Sequence, residues 1–198
     1  MSYAMVIDLK RCVGCQACVT TCKAEHGTPP GVTRSKVMRK EFGTFPNVRR
    51  LSLPMLCMHC ENPPCVEVCP SGATFKRQED GIVMVDKEIC IGCRACVMAC
   101  PYGARYPVSS KEGYFGKTLT PFEEAKKHGM PVGVIDKCDF CLSTGKLERG
   151  EVPTCVKNCI SKARTFGIRE EMMELVVERK GYQLEPELGT DPSVFYLP

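Results

Sequence analysis

The chain of 198 residues has no tryptophan, and aromatic side chains make up only 7% of it. It has no run of about 18 apolar residues, which argues against a transmembrane helix. The opening Met1–Asp8 offers no basic n-region, apolar h-region or twin arginine, so it reads as carrying no export signal of its own. A disulfide-stapled secreted domain is thereby disfavoured, because disulfides belong to oxidising compartments. A phosphate loop is absent too: Gly116-Lys117-Thr118 would need a glycine at position 111, where Lys111 stands. Apolar residues reach 43%, but that figure includes 16 cysteines; without them about 35% remains, a thin core for this length. Something other than leucine and phenylalanine must hold the chain together.

What is abundant is cysteine, at about 8% of residues, the level at which a cysteine framework is expected. The 16 fall into four groups of four with none left over. Group one is Cys12, Cys15, Cys18 and Cys22. Group two is Cys57, Cys60, Cys65 and Cys69, followed by Pro70. Group three is Cys90, Cys93, Cys96 and Cys100, followed by Pro101. Group four is the looser set Cys138, Cys141, Cys155 and Cys159.

The run C-x2-C-x2-C-x3-C-P is the bacterial ferredoxin signature. A [4Fe–4S] cube needs one thiolate per iron; three closely spaced cysteines wrap one cube, and the fourth, on the short helix that follows, reaches the partner cube. Sixteen cysteines then supply four cubes. Zinc ribbons also use C-x2-C pairs, but they take ligands two and two and have no use for a third cysteine two residues on. Disulfides between cysteines this close would need unfavourable geometry.

The pattern predicts an α+β, loop-rich fold of tandem bacterial-ferredoxin-like modules with pseudo-twofold repeats. Residues 1–168 form the double domain: module A is 1–30 with 130–168, and module B, 48–108, is inserted in it. Strands are expected at Ala4–Leu9, Val48–Leu53 and Val132–Asp136, with a hairpin of Thr74–Lys76 and Gly81–Asp86. Ser71-Gly72-Ala73, Tyr102-Gly103-Ala104 and Ser161-Lys162-Ala163 repeat after groups two, three and four. Thr120-Pro121-Phe122-Glu123 is a helix start, giving a helix through Phe122–Lys127 stopped by Gly129. Residues 169–198 read as a helix over Glu170–Lys180, with Met173, Val176, Val177 and Lys180 on one face, followed by an extended partner-docking tail.

Charge is uneven. The formal net is +4, with a net of +5 in Gly31–Arg50 and −4 in Arg169–Pro198. Two solvated faces would explain this; docking surfaces for partner subunits are the sharper reading. Nucleic acid is a poor partner, since the basic stretch has only Phe42 and Phe45 as stacking rings. A ligated cube carries about −2, so four would turn +4 into roughly −4, and the lysines and arginines read as counter-charge to clusters. With coordination complete, His59 reads as a packing or hydrogen-bonding residue, and His26 and His128 as solvent-facing. Every cysteine is used, so no catalytic constellation remains.

Group order, the x4 gap of Cys57-Met58-His59-Cys60-Glu61-Asn62-Pro63-Pro64-Cys65, the opening Met5–Cys15 and the later Asp136-Lys137-Cys138-Asp139-Phe140-Cys141 resemble the four-cluster iron–sulfur (beta) subunits of the molybdopterin, or complex iron–sulfur, oxidoreductases. Dimethyl sulfoxide, polysulfide, arsenate and formate enzymes have such a subunit. The resemblance covers about residues 3–168. It implies four [4Fe–4S] clusters held by Cys12, Cys15, Cys18 and Cys159; by Cys22, Cys138, Cys141 and Cys155; by Cys57, Cys60, Cys65 and Cys100; and by Cys69, Cys90, Cys93 and Cys96. Some relatives put tryptophan at the middle cysteine of group three and hold a three-iron cluster; Cys93 stands there in this chain. Ile160 follows Cys159 where the family pattern often has proline.

The resemblance implies an electron-transfer subunit with no substrate chemistry of its own. Electrons would pass between a large molybdenum- or tungsten-pterin catalytic subunit and a membrane-anchor, haem or soluble carrier partner, without membrane insertion by this chain. A polyferredoxin subunit of a tungsten aldehyde oxidoreductase or hydrogenase is the alternative, and a zinc-stabilised binding module is the alternative of another class. The expected location is the cytoplasm, at the membrane through partners, with periplasmic co-export on a partner's signal as the other possibility.

Overall fold

The computed structural model describes residues 2–126 and 131–198. Its central strand is β1 (Tyr3–Asp8), whose Ala4, Met5, Val6 and Ile7 are buried on both faces. A strand enclosed on two sides reads as an unbroken apolar run, which is the pattern here. The remaining elements are α1 (Ala17–His26), β2 (Ser35–Thr44), β3 (Asn47–Leu56), α2 (Pro64–Glu67), β4 (Thr74–Lys76), β5 (Val83–Val85), α3 (Ala95–Ala99), β6 (Tyr106–Pro107), α4 (Pro121–Lys126), β7 (Ile135–Asp136), α5 (Thr154–Lys157), β8 (Arg164–Ile168), α6 (Arg169–Glu178) and β9 (Val194–Leu197).

β1 pairs antiparallel with β8 and parallel with β9, in the order β8-β1-β9. On one face Ala4 and Val6 pack with Val176 of α6, Phe195 and Leu197. On the other, Met5 and Ile7 join a core that includes Cys18, Cys57, Cys60, Cys138 and Cys155. The thiols are therefore part of the interior itself. α1 packs against α5 and α2 against α3, which brings together the helices of groups one and four, and of groups two and three.

The long hairpin β2–β3 runs in register from Ser35↔Leu56 to Thr44↔Asn47. Only its root is buried, at Ser35, Ser52, Pro54 and Leu56, so the rest projects as an arm. The sequence signals β3, but not β2, whose residues read as a charge run.

The expected strand over Val132–Asp136 is confined to Ile135–Asp136. α4 starts as predicted: Glu123 accepts from the Thr120 amide at 2.9 Å, and its own amide donates to the Thr120 hydroxyl at 3.3 Å. Lys127 and Gly129, named in that reading, and His128, expected to face solvent, lie outside the described residues. α6 turns its apolar side differently from the expectation. Met172, Met173, Leu175 and Val176 face the sheet, while Val177 is exposed and Lys180 lies beyond the helix end at Glu178.

The segment 169–198, read as a helix and docking tail, folds onto its own chain. After α6 the chain folds back as β9, beside β1, and the Tyr196 hydroxyl donates to the Pro54 carbonyl at 2.8 Å with the ring fully buried. This segment completes the sheet of its own chain.

Candidate metal centres

All sixteen cysteines are free thiols. In each C-x2-C loop the residue before the second cysteine is left-handed: Gly14 (φ +67°), His59 (+45°), Gly92 (+67°) and Phe140 (+52°). In groups one and three the residue after it, Gln16 or Arg94, is left-handed as well. Left-handed residues curl the backbone so that N–H groups line a concavity, the form of nest that suits an anionic group. Glycine is required at two of these places. A Cβ on Gly92 would lie 1.9 Å from the Gly133 carbonyl oxygen, and one on Gly14 2.5 Å from Ser52 Oγ.

The small-residue repeats after groups two and four serve the last cysteine. Thr74 N–H donates to Cys69 Sγ at 3.3 Å, and Ala163 N–H to Cys159 Sγ at 3.2 Å. Buried Ala73, Ala104 and Ala163 let the chain turn this closely over the sulfurs. Although partial burial opposes charge on Cys69 and Cys159, these amide bonds and nearby serine hydroxyls hold both thiols below their ordinary range. A thiolate acceptor is what a metal ligand requires.

The thiols influence one another both within the implied sets and between them, since Cys155 feels Cys18. Burial raises Cys12, and Cys18 and Cys159 add to it. Burial raises Cys22 and Cys138, with contributions from Cys141 and Cys155 on both. Burial pushes Cys60 to about 12 with help from Cys57, Cys65 and Cys100. In the fourth set, Cys90 and Cys96 share one apolar cluster, and Cys96 sits beside Cys65 in it. Among the described residues no three His, Cys, Asp or Glu converge as ligands of a single ion do. Four thiolates around a cube stand farther apart than four around one zinc.

Four buried cations, Arg34, Lys137, Arg105 and Arg164, lie among these sulfurs. Arg34 is paired: its guanidinium makes bonds of 2.7 and 2.8 Å to Asp136 and 3.2 Å to Asp139. Burial opposes charge on both aspartates, yet Arg34 keeps both below the usual carboxylate range. Arg105 donates to Cys65 Sγ at 2.8 Å, and Arg164 is within hydrogen-bonding reach of Cys155. Sequence reasoning missed the last two as site residues. The available signal was their place, each five residues past the last cysteine of its group and each just after a repeat alanine.

The histidines divide. His59 packs as expected: it is 1% exposed, stacks on Phe140, and its Nδ1 accepts from Val83 N–H at 3.2 Å. His26, expected in solvent, is half-buried, with Nε2 3.3 Å from Cys141 Sγ and Nδ1 3.0 Å from Arg34. Burial, then Arg34, lower its pKa to about 4, so it stays neutral among the group-four thiols.

Sixteen unpaired thiols in nest-forming loops, with amides and guanidinium groups aimed at sulfur, fit four-thiolate iron–sulfur centres. The comparisons with known proteins agree. Residues 11–74 and 48–130 each match a family model described as a 4Fe-4S dicluster domain. The chain is 41% identical to a selenate reductase subunit of Mesobacillus selenatarsenatis, matching over 100% of this chain and 72% of that protein. It is 40% identical to a tetrathionate reductase subunit of Salmonella typhimurium, over 98% and 72%. It is 38% identical to a putative dimethyl sulfoxide reductase iron–sulfur subunit of Halobacterium salinarum, over 99% and 79%. With four [4Fe–4S] clusters as its cofactors, the chain belongs to the electron-transfer iron–sulfur subunits of the molybdopterin oxidoreductases.

Proposed function

We propose that this chain spans the gap between a large molybdenum- or tungsten-pterin catalytic subunit and a second redox partner, whether membrane anchor, haem protein or soluble carrier. The ligand sets are those the resemblance implies: Cys12, Cys15, Cys18 with Cys159; Cys22 with Cys138, Cys141, Cys155; Cys57, Cys60, Cys65 with Cys100; and Cys69 with Cys90, Cys93, Cys96. Influences of Cys18 and Cys159 on Cys12, of Cys141 and Cys155 on Cys22 and Cys138, and of Cys57, Cys65 and Cys100 on Cys60 support this grouping, while Cys18 and Cys155 also act across the first two sets. A bound [4Fe–4S] cluster supplies one-electron redox chemistry.

One observation carries the two-ended reading. Only Cys15 and Cys93 are exposed, and they belong to different dicluster units, whereas Cys22, Cys138, Cys141, Cys155, Cys57, Cys60 and Cys65 are all buried. Around each exposed cysteine, apolar side chains face outward: Val13 and Ile160 near Cys15, Ile91 and Met98 near Cys93. Exposed apolar patches of this kind mark surfaces that partners cover. The interior sets are kept from water while two loops meet other proteins. The resemblance puts the catalytic partner at the cube near Cys12, hence at the Cys15 loop, which leaves the Cys93 loop to the electron carrier. Relatives named for selenate and tetrathionate share this kind of chain, so the substrate belongs to the partner. Sixteen thiols favour assembly in a reducing cytoplasm, whichever side of the membrane the complex serves.

The test is a pair of surface substitutions read by co-purification, with iron counted on the same samples. Val13→Glu should release the catalytic subunit and Met98→Glu should spare it, both keeping about sixteen irons per chain. A Val13→Glu chain that still holds the catalytic subunit, or a Met98→Glu chain that loses it, overturns the assignment. A parent protein with about eight irons or fewer, the balance zinc, overturns the four-cluster ligand sets.

A further inference from the structure

Arg105 and Arg164 stand at matching places in the two repeats. Each lies five residues beyond the last cysteine of its group and directly after a buried alanine, Ala104 or Ala163. Both guanidinium groups are buried, at 4% exposure each. Neither has a carboxylate within ion-pairing distance among the described residues, in contrast to Arg34, which two aspartates neutralise.

Cysteine sulfurs surround both, and the sulfurs correspond. Arg105 donates to Cys65 Sγ at 2.8 Å and to the Thr74 hydroxyl at 3.0 Å, and is within hydrogen-bonding reach of Cys96. Arg164 donates to the Ser35 hydroxyl at 3.1 Å and approaches Met5 Sδ at 3.9 Å. It is also within hydrogen-bonding reach of Cys155 and close enough to Cys18 for the two charges to interact. Cys18 and Cys155 are the third cysteines of groups one and four; Cys65 and Cys96 are the third cysteines of groups two and three. In both pairs the two cysteines sit on helices that pack together, α1 on α5 and α2 on α3.

A buried cation without an anion is unfavourable, so each arginine requires negative charge beside it. Thiolates ligating iron provide that charge, and each arginine lies close enough to thiolates of two different ligand sets for their charges to interact. We propose that Arg105 and Arg164 are intramodular charge bridges: each guanidinium is shared by the two clusters of its own dicluster unit and raises the reduction potential of both. The inference rests on the ligand sets proposed above. Positive charge and hydrogen bonds to sulfur favour the reduced, more negative state of a cluster, which gives the sign.

The test uses the full-length chain loaded with clusters, by redox titration followed by electron paramagnetic resonance, with iron measured on each sample. Arg164→Met should shift two of the four midpoints downward and leave the other two in place. Arg105→Met should shift the other two. Arg→Lys at either site, which keeps the charge, should return most of the shift. A single substitution that moves one midpoint, all four or none, with about sixteen irons retained, overturns the bridge and leaves the ligand sets standing. A parent protein that never reaches about sixteen irons instead fails the ligand sets. If a methionine variant loses iron, the lysine variant decides: full loading with parental midpoints supports a charge role, and continued loss shows a packing role and overturns the proposal.

Discussion

The imidazole of His59 and the ring of Phe140 stack with centroids 3.8 Å apart and planes at 28°. They hold equivalent positions, each the left-handed residue before the second cysteine of its pair, His59 before Cys60 and Phe140 before Cys141. The stack therefore joins group two to group four, and Phe140 continues it edge-on to Phe166 of β8 at 5.0 Å. A chain without tryptophan has few large rings to spend on its interior, and it concentrates three at the junction of its two cluster units.

Replacing the central ring should be felt by both units. Phe140→Ala removes a fully buried aromatic together with two ring contacts, and should cost about 3–5 kcal/mol. The expected reading is loss of cluster absorbance at markedly lower guanidinium under anaerobic conditions. A change worth about 1 kcal/mol or less would show that the junction is held by something else.

Removing iron should remove the fold. The main core counts Cys18, Cys57, Cys60, Cys138 and Cys155 among its buried members, beside Met5, Ile7 and Tyr196. Without metal these positions offer a thiol where a cluster and four bonds to the chain would stand. Small metal-organised domains behave this way: unfolded apo, folded holo. Chelation of iron under reducing, anaerobic conditions should collapse the circular dichroism and near-ultraviolet signals together. A native spectrum after complete chelation would contradict this.

The cysteine frame was legible because ligand count and spacing are local and set by cluster chemistry. Thr74–Lys76 and the Thr120–Glu123 helix start were legible for the same reason, since their partners lie within a few residues. What escaped depends on distance along the chain. β9 finds β1 across nearly the whole sequence, so Val194–Leu197 looked like a free tail. His26 meets Cys141 and Arg34 only in the fold. Arg105 and Arg164 were two among 27 lysines and arginines until burial singled them out. β2 was hidden because an exposed arm needs no apolar face, and Lys36, Arg39 and Lys40 made it read as a charge run.

Truncation tests what the C-terminal segment does. The Thr190 hydroxyl lies 2.6 Å from the Tyr102 hydroxyl and within hydrogen-bonding reach of the Cys60 thiol. Tyr196 and Leu197 close the sheet against β1. A chain ending after Arg169 should therefore lose iron, with the centres nearest Cys60 among those lost. Retention of about sixteen irons by the truncated chain would restore the docking-tail reading.

The β2–β3 arm should bind the catalytic partner. It is fastened beside the Cys15 loop, since the Arg39 guanidinium donates to the Gly14 carbonyl and Ser52 lies against Gly14. Beyond that root, Met38, Phe42, Val48 and Leu51 are exposed, and Phe45 at the tip is 91% exposed. Alternation along β2 puts Met38, Lys40 and Phe42 on one face, where Lys40 Nζ sits 5.0 Å from the Phe42 ring centre. Arg49 stands opposite Phe42 while Arg50 is paired with Glu41, so with Lys40 the arm combines apolar anchors with positive charge and fits an apolar pocket edged by carboxylates. Aromatic anchors buried at an interface are each worth about 2 kcal/mol or more, roughly thirty-fold in affinity. Phe42→Ser with Phe45→Ser should therefore weaken affinity for the catalytic partner by at least that factor, measured by titration of the purified proteins under argon. Iron content should not change, because neither ring touches the cluster core. Unchanged affinity in a fully loaded double variant would move the interface away from the arm, leaving its exposed rings without a role in docking.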